Sequence, residues 1–300
     1  FYWWPKDEDA GMKPSRYNHW YRVDETAILG YNALTTALVR LTDEEFACFQ
    51  DFCANPSDDF FEQRSAEPLR DQLFDTGLIV PDAVDELSRV EGYHRLARQQ
   101  RNQLALTIIP TLSCNFRCNY CFSYAKPGRM TQRIQDGLVR FADWHLKDVE
   151  SFTIAWYGGE PLLCLPIIER LAARLHGACD RHGVTLRGDS IVTNGFLLTQ
   201  RAAERLKRAG VMRAQVTLDG GPAAHNARRP LNNGRPTFER IVQNISVACD
   251  TLEIQVRINV DRSNADSAVG ALDALAAAGL QQRIVPYFGH VKAFSEVCSD

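Results

Sequence analysis

Three cysteines lie close together in the segment "PTLSCNFRCNYCFSYAKPGRM", which runs from Pro110 to Met130. They are Cys114, Cys118 and Cys121, in the pattern C-x3-C-x2-C, and polar residues separate them. Thiolates bind zinc and iron–sulfur clusters, and a closed site of either kind usually has four protein ligands. The segment therefore predicts a metal centre and raises the question of its fourth ligand.

Four interpretations of the cysteine cluster compete. The thiols could be buried core residues, although a polar loop is a poor place for them. A zinc site would need further ligands, and His94 and His145 do not lie at the usual spacing. An electron-transfer [4Fe-4S] cluster could take Cys164 as a remote fourth ligand. In the remaining interpretation, three irons bind cysteines and the fourth is left open for a substrate or cofactor.

The sequence around this loop predicts the elements that must position it. From Leu104 onward, short apolar runs alternate with amphipathic helical stretches, several of which end at glycine. Six β-then-α units predict a parallel sheet with helices outside it, either an open doubly wound sheet or a barrel or part-barrel. The six predicted strands contain "LALTIIPT", "SFTIAWYGG", "LRGDSIVTNG", "RAQVTLDGG", "LEIQVRINVD" and "QRIVPYFG".

Polar segments follow five of these strands. They are "SCNFRCNYC", "YGGEP", "TNG", "TLDGG" and "RINVD". The carboxyl ends of parallel strands meet at one edge of the sheet, so we expect these segments to form a single site.

The loop from Cys114 to Cys121 resembles the signature loop of radical S-adenosylmethionine (SAM) enzymes, including the aromatic Tyr120 before the third cysteine. "YGGEP" is similar to the GGE motif of that family. "VTLDGGPAAHNARR" and "RINVDRSN" resemble the fourth and fifth strand segments of its subgroup of peptide maturases with a C-terminal SPASM or twitch domain. The fold class that the resemblance implies is α/β, a partial (β/α)6 TIM-like barrel over residues 104–300. We expect this chain to end before a SPASM or twitch domain.

The resemblance also implies the chemistry. In that family three cysteines hold a [4Fe-4S] cluster, and the amino and carboxylate groups of SAM chelate the fourth iron. The reduced cluster cleaves SAM to a 5′-deoxyadenosyl radical, which abstracts hydrogen from the substrate. Cys114, Cys118 and Cys121 would be the cluster ligands in this chain.

Further residues would bind SAM by the same resemblance. Gly158 and Gly159 would let the backbone approach its methionine part, and Glu160 would accept its ammonium group. Without the cysteines, "GGEP" would equally fit a plain turn into a helix that begins at Pro161.

The later strands supply the other candidate SAM contacts. Thr217 and Asp219 point to the same side of the fourth strand and would bind the ribose hydroxyls, although the family usually has serine at the first position. The loop "DGGP" is one residue longer than the family's usual D-G-P. Arg257 would pair with the SAM carboxylate or else be a solvated surface arginine. The remaining candidates are Tyr120 and Phe122 beside the adenine, Asn194 on the third strand and Asn259 on the fifth.

The other cysteines have no such pattern. Cys298 lies after the sixth strand, where SPASM-type proteins carry ligands of auxiliary iron–sulfur clusters, and it is a possible ligand of one. The rest are expected to be core residues, namely Cys48, Cys53, Cys164, Cys179 and Cys249.

Residues 1–90 are predicted to form a small α+β domain of winged-helix type, and residues 91–103 a linker. A hairpin is followed by a helix whose N-cap is Thr42, with Glu45 completing a capping box. The domain resembles peptide-recognition domains of enzymes that modify ribosomally made peptides, which capture a leader peptide as an added strand. The alternative is an ordinary accessory subdomain.

Composition narrows the class of protein. The chain has 300 residues, a formal charge of −3 and an odd number of cysteines, nine. These values do not indicate a nucleic-acid partner or a disulfide framework, and no apolar run is long enough for a membrane span. We expect a cytoplasmic protein.

Two hypotheses of different classes follow. The first is a radical SAM oxidoreductase that installs a thioether, ether or C–C crosslink on a precursor peptide, with a reductant such as flavodoxin or ferredoxin. An anaerobic sulfatase-maturing type of Cys or Ser oxidase is a close variant. The second is a non-catalytic iron–sulfur electron-transfer protein. The bond formed, the catalytic base and the oligomeric state are not determined by the sequence.

Overall fold

The computed structural model describes residues 11–57, 59–99, 102–121 and 127–291 of the chain. Contacts divide the chain into two compact units, Phe1–Gln100 and Arg101–Asp300. Each unit has its own hydrophobic core. Among the described residues, no helix is long and apolar enough to cross a membrane.

The first unit combines two small antiparallel sheets with three α-helices. One sheet has the order β2-β3-β4, and the other pairs β1 with β5. The strands are β1 Met12–Pro14, β2 Asn18–Arg22, β3 Ala27–Asn32, β4 Leu38–Thr42 and β5 Ile79–Pro81. The helices are α1 Asp43–Ala54, α2 Glu67–Asp75 and α3 Glu86–Gln99.

Local sequence signals determine the helix boundaries in this unit. The Thr42 side chain accepts a hydrogen bond from the Glu45 amide, and the Glu45 side chain accepts one from the Thr42 amide, so the predicted capping box is confirmed. Residues 91–99 of the predicted linker are helical and form the C-terminal part of α3. The boundary between the units follows Gln100.

The second unit is built on a six-stranded sheet in which every pair of neighbouring strands is parallel. Its strands are β6 Gln103–Ile108, β7 Ser151–Trp156, β8 Thr185–Thr193, β9 Arg213–Leu218, β10 Glu253–Val260 and β11 Ile284–His290. Its α-helices are α4 Gln132–His145, α5 Leu165–His182, α6 Gln200–Arg208, α7 Pro222–Arg228, α8 Phe238–Ala248 and α9 Ala268–Ala277. The six predicted strands are confirmed.

The order of the strands decides between the two sheet types that the sequence left open. They follow one another in sequence from β6 to β11. A doubly wound sheet would reverse its order at a switch point, so this is the barrel-type arrangement. In the described part of the chain β6 and β11 each pair with a single neighbour, so the barrel is partial.

The helices of this unit pack apolar residues into its hydrophobic core. The longest, α5, buries an apolar stripe that includes Ile168, Leu171 and Leu175, and it ends at Gly183 in the left-handed conformation. The short helix α7 was not predicted. It begins at Pro222, a residue whose fixed φ suits the first helical position.

Candidate functional site

The cysteine loop begins after the carboxyl end of β6. Cys114, Cys118 and Cys121 are all partly exposed. The amide of Phe116 donates a hydrogen bond of 3.4 Å to the Cys114 sulfur. Burial raises the pKa of the Cys114 thiol to about 11 and also raises the pKa of Cys118. A positively charged metal centre would offset that cost by stabilising the thiolates.

The donor set distinguishes between the kinds of metal centre. Within the described ranges, no group of three or more His, Cys, Asp or Glu side chains is arranged around the position of a single ion. A zinc site usually takes paired cysteine knuckles or cysteine–histidine sets, whereas this loop supplies three cysteines and no histidine. In an iron–sulfur cluster the thiolates bind separate irons. Three cysteines on one loop at a strand end therefore fit a cluster better than a single ion.

The segment after β7 is hydrogen-bonded to the start of the cysteine loop. The amide of Gly159 donates to the Thr111 carbonyl at 3.1 Å, and the amide of Glu160 donates to the Ser113 carbonyl at 2.8 Å. Gly158 has a φ of 138°, a conformation that other residues rarely adopt. A Cβ on Gly158 would collide with the Thr111 carbonyl, and one on Gly159 with the Ser113 carbonyl. Both glycines thus serve close backbone packing within the protein, a role additional to the predicted approach to SAM.

The Glu160 carboxylate is fully buried. Its Oε1 accepts hydrogen bonds from the Leu162 amide and the Thr193 hydroxyl, and its Oε2 accepts one from the Asn194 amide at 2.8 Å. Burial raises the pKa of Glu160. Here the side chain joins the ends of β7 and β8, and its contact with the SAM ammonium group stays a prediction.

Asn194, the predicted contact on the third strand, lies against the cysteine loop. Its Nδ2 donates to the Asn115 side chain at 2.8 Å and lies 3.9 Å from the Cys114 sulfur. The end of β8 is therefore bonded both to Glu160 and to the loop that carries the cysteines.

Tyr120 is the centre of a buried polar network. Its hydroxyl donates to Asp219 Oδ1 at 3.0 Å and accepts hydrogen bonds from Arg229 and from Asn259 Nδ2, the latter at 3.1 Å. Burial raises its pKa, so the hydroxyl stays protonated. Three candidates predicted separately, Tyr120, Asp219 and Asn259, are thus in direct contact.

Asp219 is fully buried and belongs to an ion-pair network. The Arg228 Nε donates to Asp219 Oδ2 at 3.1 Å, and the other end of Arg228 pairs with Asp261 at 2.6 Å. Both carboxylate oxygens bond to protein groups, and the contact of Asp219 with the ribose hydroxyls stays a prediction.

The remaining candidates lie as follows. Thr217 is buried on β9. Arg257 is partly exposed on β10, donates to Asn259 Oδ1 at 2.8 Å and packs over Gly289. Phe122 and Cys298 lie outside the described residues.

The other described cysteines differ in burial. Cys164 and Cys179 are buried, as expected of core residues, while Cys48 and Cys249 are partly exposed. The prediction was wrong for Cys53, which is exposed, because it lies on the outer face of α1. Cys164 belongs to the buried core of the second unit, and its role as a remote fourth ligand stays an untested alternative.

Three residues of the site were missed by sequence reasoning. His225, Arg228 and Arg229 all come from the segment "HNARR". Burial lowers the pKa of His225 well below its usual value, and its Nδ1 accepts the Asp219 amide at 3.2 Å. The neutral ring therefore carries its proton on Nε2, toward Thr237 Oγ1 at 3.1 Å. The signal was present, because this segment belongs to the motif that carried the resemblance.

Comparison with known proteins places the site in a family. A sequence model of the Radical SAM superfamily matches residues 108–281, which is more than half of the chain. This range holds β7 to β10 entire and the three cysteines.

Individual relatives match the same region. The chain is 35% identical over 173 residues to a GTP 3′,8-cyclase of Synechococcus sp. (strain WH7803), covering 55% of this chain and 44% of that protein. It is 21% identical over 211 residues to the radical SAM cyclopropyl synthase TigE of Paramaledivibacter caminithermalis, covering 63% and 42% respectively. The chain thus spans less than half the length of these curated relatives.

A solved structure has a similar core. It is native anSMEcpe with bound AdoMet and Cp18Cys peptide, with a TM-score of 0.51 and 21% identity. The match covers 62% of this chain and 50% of that one, and it supports the fold assignment.

Proposed function

Because the chain belongs to the radical SAM superfamily, we propose that Cys114, Cys118 and Cys121 hold its [4Fe-4S] cluster and that SAM binds at the carboxyl ends of the strands. The two cofactors, when bound, supply one-electron reductive cleavage of SAM and so initiate hydrogen abstraction from a substrate. The observation that carries this proposal is the direct bonding of the "GGE" backbone to residues 111–113. It joins two motifs of the family at one strand edge.

The chain's own residues would position the cofactors. Glu160 holds the ends of β7 and β8 together, and Asn194 orients the loop beside Cys114. The Tyr120 hydroxyl connects the cysteine loop to β9 and β10 through Asp219 and Asn259. These bonds connect the ends of β7, β8, β9 and β10 to the cysteine loop through protein groups, and such preorganisation reduces the entropic cost of binding.

We propose a precursor peptide as the substrate and a crosslink or other side-chain modification as the product, which places the chain in the SPASM or twitch-type subgroup. A reductant such as flavodoxin or ferredoxin would supply the electron. Two observations support a peptide. The core fold occurs in a protein solved with a peptide bound. In the described part of the first unit, β2 and β4 each pair only with β3, which leaves each one free edge. An extended peptide can add to such an edge through its backbone.

A nucleotide is the second candidate substrate. It is favoured by the 35% identity to a GTP 3′,8-cyclase, which lies within the region common to both chains. Cyclisation of GTP would also begin at a radical SAM core, so the substrate assay must include both compounds.

The first experiment tests the chemistry. The full chain is reconstituted anaerobically with iron and sulfide, given SAM and dithionite, and assayed for 5′-deoxyadenosine by liquid chromatography. We expect product from the wild-type chain and none from Cys118→Ala, with Cys249→Ala as the control because Cys249 lies at the C-terminal end of α8, outside the cysteine loop. A loaded wild-type cluster that yields no 5′-deoxyadenosine would overturn the enzymatic proposal.

The second experiment tests the substrate. The reconstituted chain is incubated with the product of each short open reading frame found beside its gene, or with GTP, and the products are analysed by mass spectrometry. We expect a mass change in the peptide that depends on SAM. Conversion of GTP with an unchanged peptide would instead establish the second candidate.

A further inference from the structure

The cysteine loop is paired along its length with residues 228–232, which we name the clamp. The Asn232 amide donates to the Asn115 carbonyl at 3.0 Å, and the Arg117 amide donates to the Pro230 carbonyl at 2.9 Å. The Asn119 amide donates to the Arg228 carbonyl at 3.1 Å. Phe116 and Leu231 form an antiparallel bridge between the two segments. The clamp therefore determines the path of the backbone between the first and third cysteines.

The clamp directs the Arg229 side chain toward the cysteines. This side chain is only 9% exposed. Its Nη1 donates to the Tyr120 hydroxyl, and its Cζ lies 5.8 Å from the centre of the Phe116 ring. Both neighbours are within two residues of Cys118. The Arg229 guanidinium is therefore held against the residues on both sides of Cys118.

The charge of Arg229 is incompletely balanced by protein groups. Arg228 takes the short contacts of the network, 3.1 Å to Asp219 and 2.6 Å to Asp261. Arg229 has a longer contact of 3.8 Å to Asp219. Its Nε is buried and has no hydrogen-bond partner among the residues that the structure describes. A buried guanidinium with an unused donor is costly unless a further negative group lies beside it.

We propose that Arg229 raises the reduction potential of the cluster bound by Cys114, Cys118 and Cys121, acting as a fixed positive charge beside Cys118. The inference rests on the proposed ligand set. One-electron reduction by dithionite adds one negative charge to the cluster. A nearby cation stabilises the reduced form more than the oxidised form, and a buried pair is little screened by solvent. Arg229 would in this way determine how readily a cellular reductant can reduce the cluster.

The test is the midpoint potential of the reconstituted full chain without SAM, followed by electron paramagnetic resonance during a redox titration. We expect Arg229→Gln to shift the reduction equilibrium about tenfold toward the oxidised form, which is about 59 mV more negative for one electron. Arg229→Lys keeps the charge and should lie within about threefold of wild type. The matched control is Arg205→Gln, because Arg205 is also ion-paired but lies on the outer helix α6, bonded to Glu169.

Each outcome decides the proposal. A potential unchanged in a fully loaded Arg229→Gln, or equally shifted in Arg205→Gln, would overturn it. If Arg229→Gln holds no cluster, Arg229→Lys decides: a near-wild-type potential supports the charge effect, and a tenfold shift contradicts it. If neither variant holds iron while both are folded by circular dichroism, Arg229 is a structural residue and the proposal fails. Failure of the ligand set itself is recognised separately, since Cys118→Ala would then keep its cluster.

Discussion

At the scale of single residues, the polar side chains of the site bind one another. The single hydroxyl of Tyr120, on the cysteine loop, forms hydrogen bonds with Asp219, Arg229 and Asn259. Removing one member of such a buried network leaves its partners without a hydrogen bond. The free-energy cost is high because water does not replace the lost partner. The members of the network therefore depend on one another for stability.

Removing the Tyr120 hydroxyl should destabilise the protein. We expect Tyr120→Phe to lower the free energy of unfolding by about 2 kcal/mol, since three buried groups lose a partner. The measurement is urea denaturation of the cluster-free chain. The control is Tyr287→Phe, whose hydroxyl bonds to Gln215 at an exposed position and should matter little. Equal losses in the two variants would contradict the network.

Asp261 should make stability depend on pH in acid. Burial acts to raise its pKa, but hydrogen bonds from Arg228 and Ser263 outweigh this and hold the pKa at about 2. Since the unfolded value is about 3.9, its contribution is complete above about pH 4 and is lost as the pH falls through about 2. We expect Asp261→Asn to cost about 2 kcal/mol at pH 7, and less as the pH decreases from 4.

Urea midpoints of wild type and Asp261→Asn at pH 7, 5, 4 and 3 test this expectation. Asp266→Asn, an exposed neighbour, provides the control. A difference between wild type and Asp261→Asn that stays constant down to pH 3 would show that the carboxylate charge is not the source of the stability.

At the scale of elements, the site depends on close contact between connecting segments. The end of β7 packs its two glycines against the backbone of residues 111–113, with no room for a side chain between them. This contact joins residues 158–159 to residues 111–113, which are more than 40 positions away in the sequence. It explains why both glycines are required even before SAM is considered.

We expect Gly159→Ala to push the "GGE" segment away from the cysteine loop and to reduce iron loading at least fivefold. The matched control is Gly177→Ala in α5, where an added Cβ would meet nothing nearer than 3.9 Å. That substitution should stabilise the helix by up to about 1 kcal/mol and leave loading unchanged. The iron and sulfide content of each variant is measured after reconstitution. Normal iron loading of Gly159→Ala would refute the packing argument.

At the scale of the whole molecule, each of the two units has its own hydrophobic core. A substitution in one core can therefore destabilise that unit without changing the residues of the other core. Asn32 shows how the first unit is held together. The two hydrogens of its buried Nδ2 are shared among three acceptors within 2.9 Å, Ser15 Oγ, Asn18 Oδ1 and the Gly77 carbonyl, and its Oδ1 accepts from two amides of the following turn. Its loss should disrupt the first unit alone, because the second core contains none of these residues.

Asn32→Ala should therefore separate substrate capture from SAM cleavage. We expect it to destabilise the first unit by about 3 kcal/mol. Modification of the peptide should decrease at least tenfold, while SAM cleavage without peptide stays within about twofold of wild type. Both rates are measured on the reconstituted full chain, with Arg70→Ala as the control, because Arg70 is a partly exposed residue of α2 and lies on neither free strand edge. An equal decrease in both rates would contradict the division of roles.

The sequence by itself determined the six strands, the capped helix α1 and the cysteine loop with its family. Those features depend on local periodicity, capping and motif spacing, which neighbouring residues encode. It also named Tyr120, Asp219 and Asn259 as candidates, but for contacts with SAM.

Only the tertiary structure decided the rest. The strand order, the burial of Glu160, the pairing of the clamp with the cysteine loop and the position of Arg229 all join segments far apart in the chain. Arg229 belongs to the quoted motif "VTLDGGPAAHNARR", but the motif does not say which groups surround its side chain. Its role follows from which charges and donors surround it after folding, and such contacts between distant segments are not encoded in the spacing of adjacent residues.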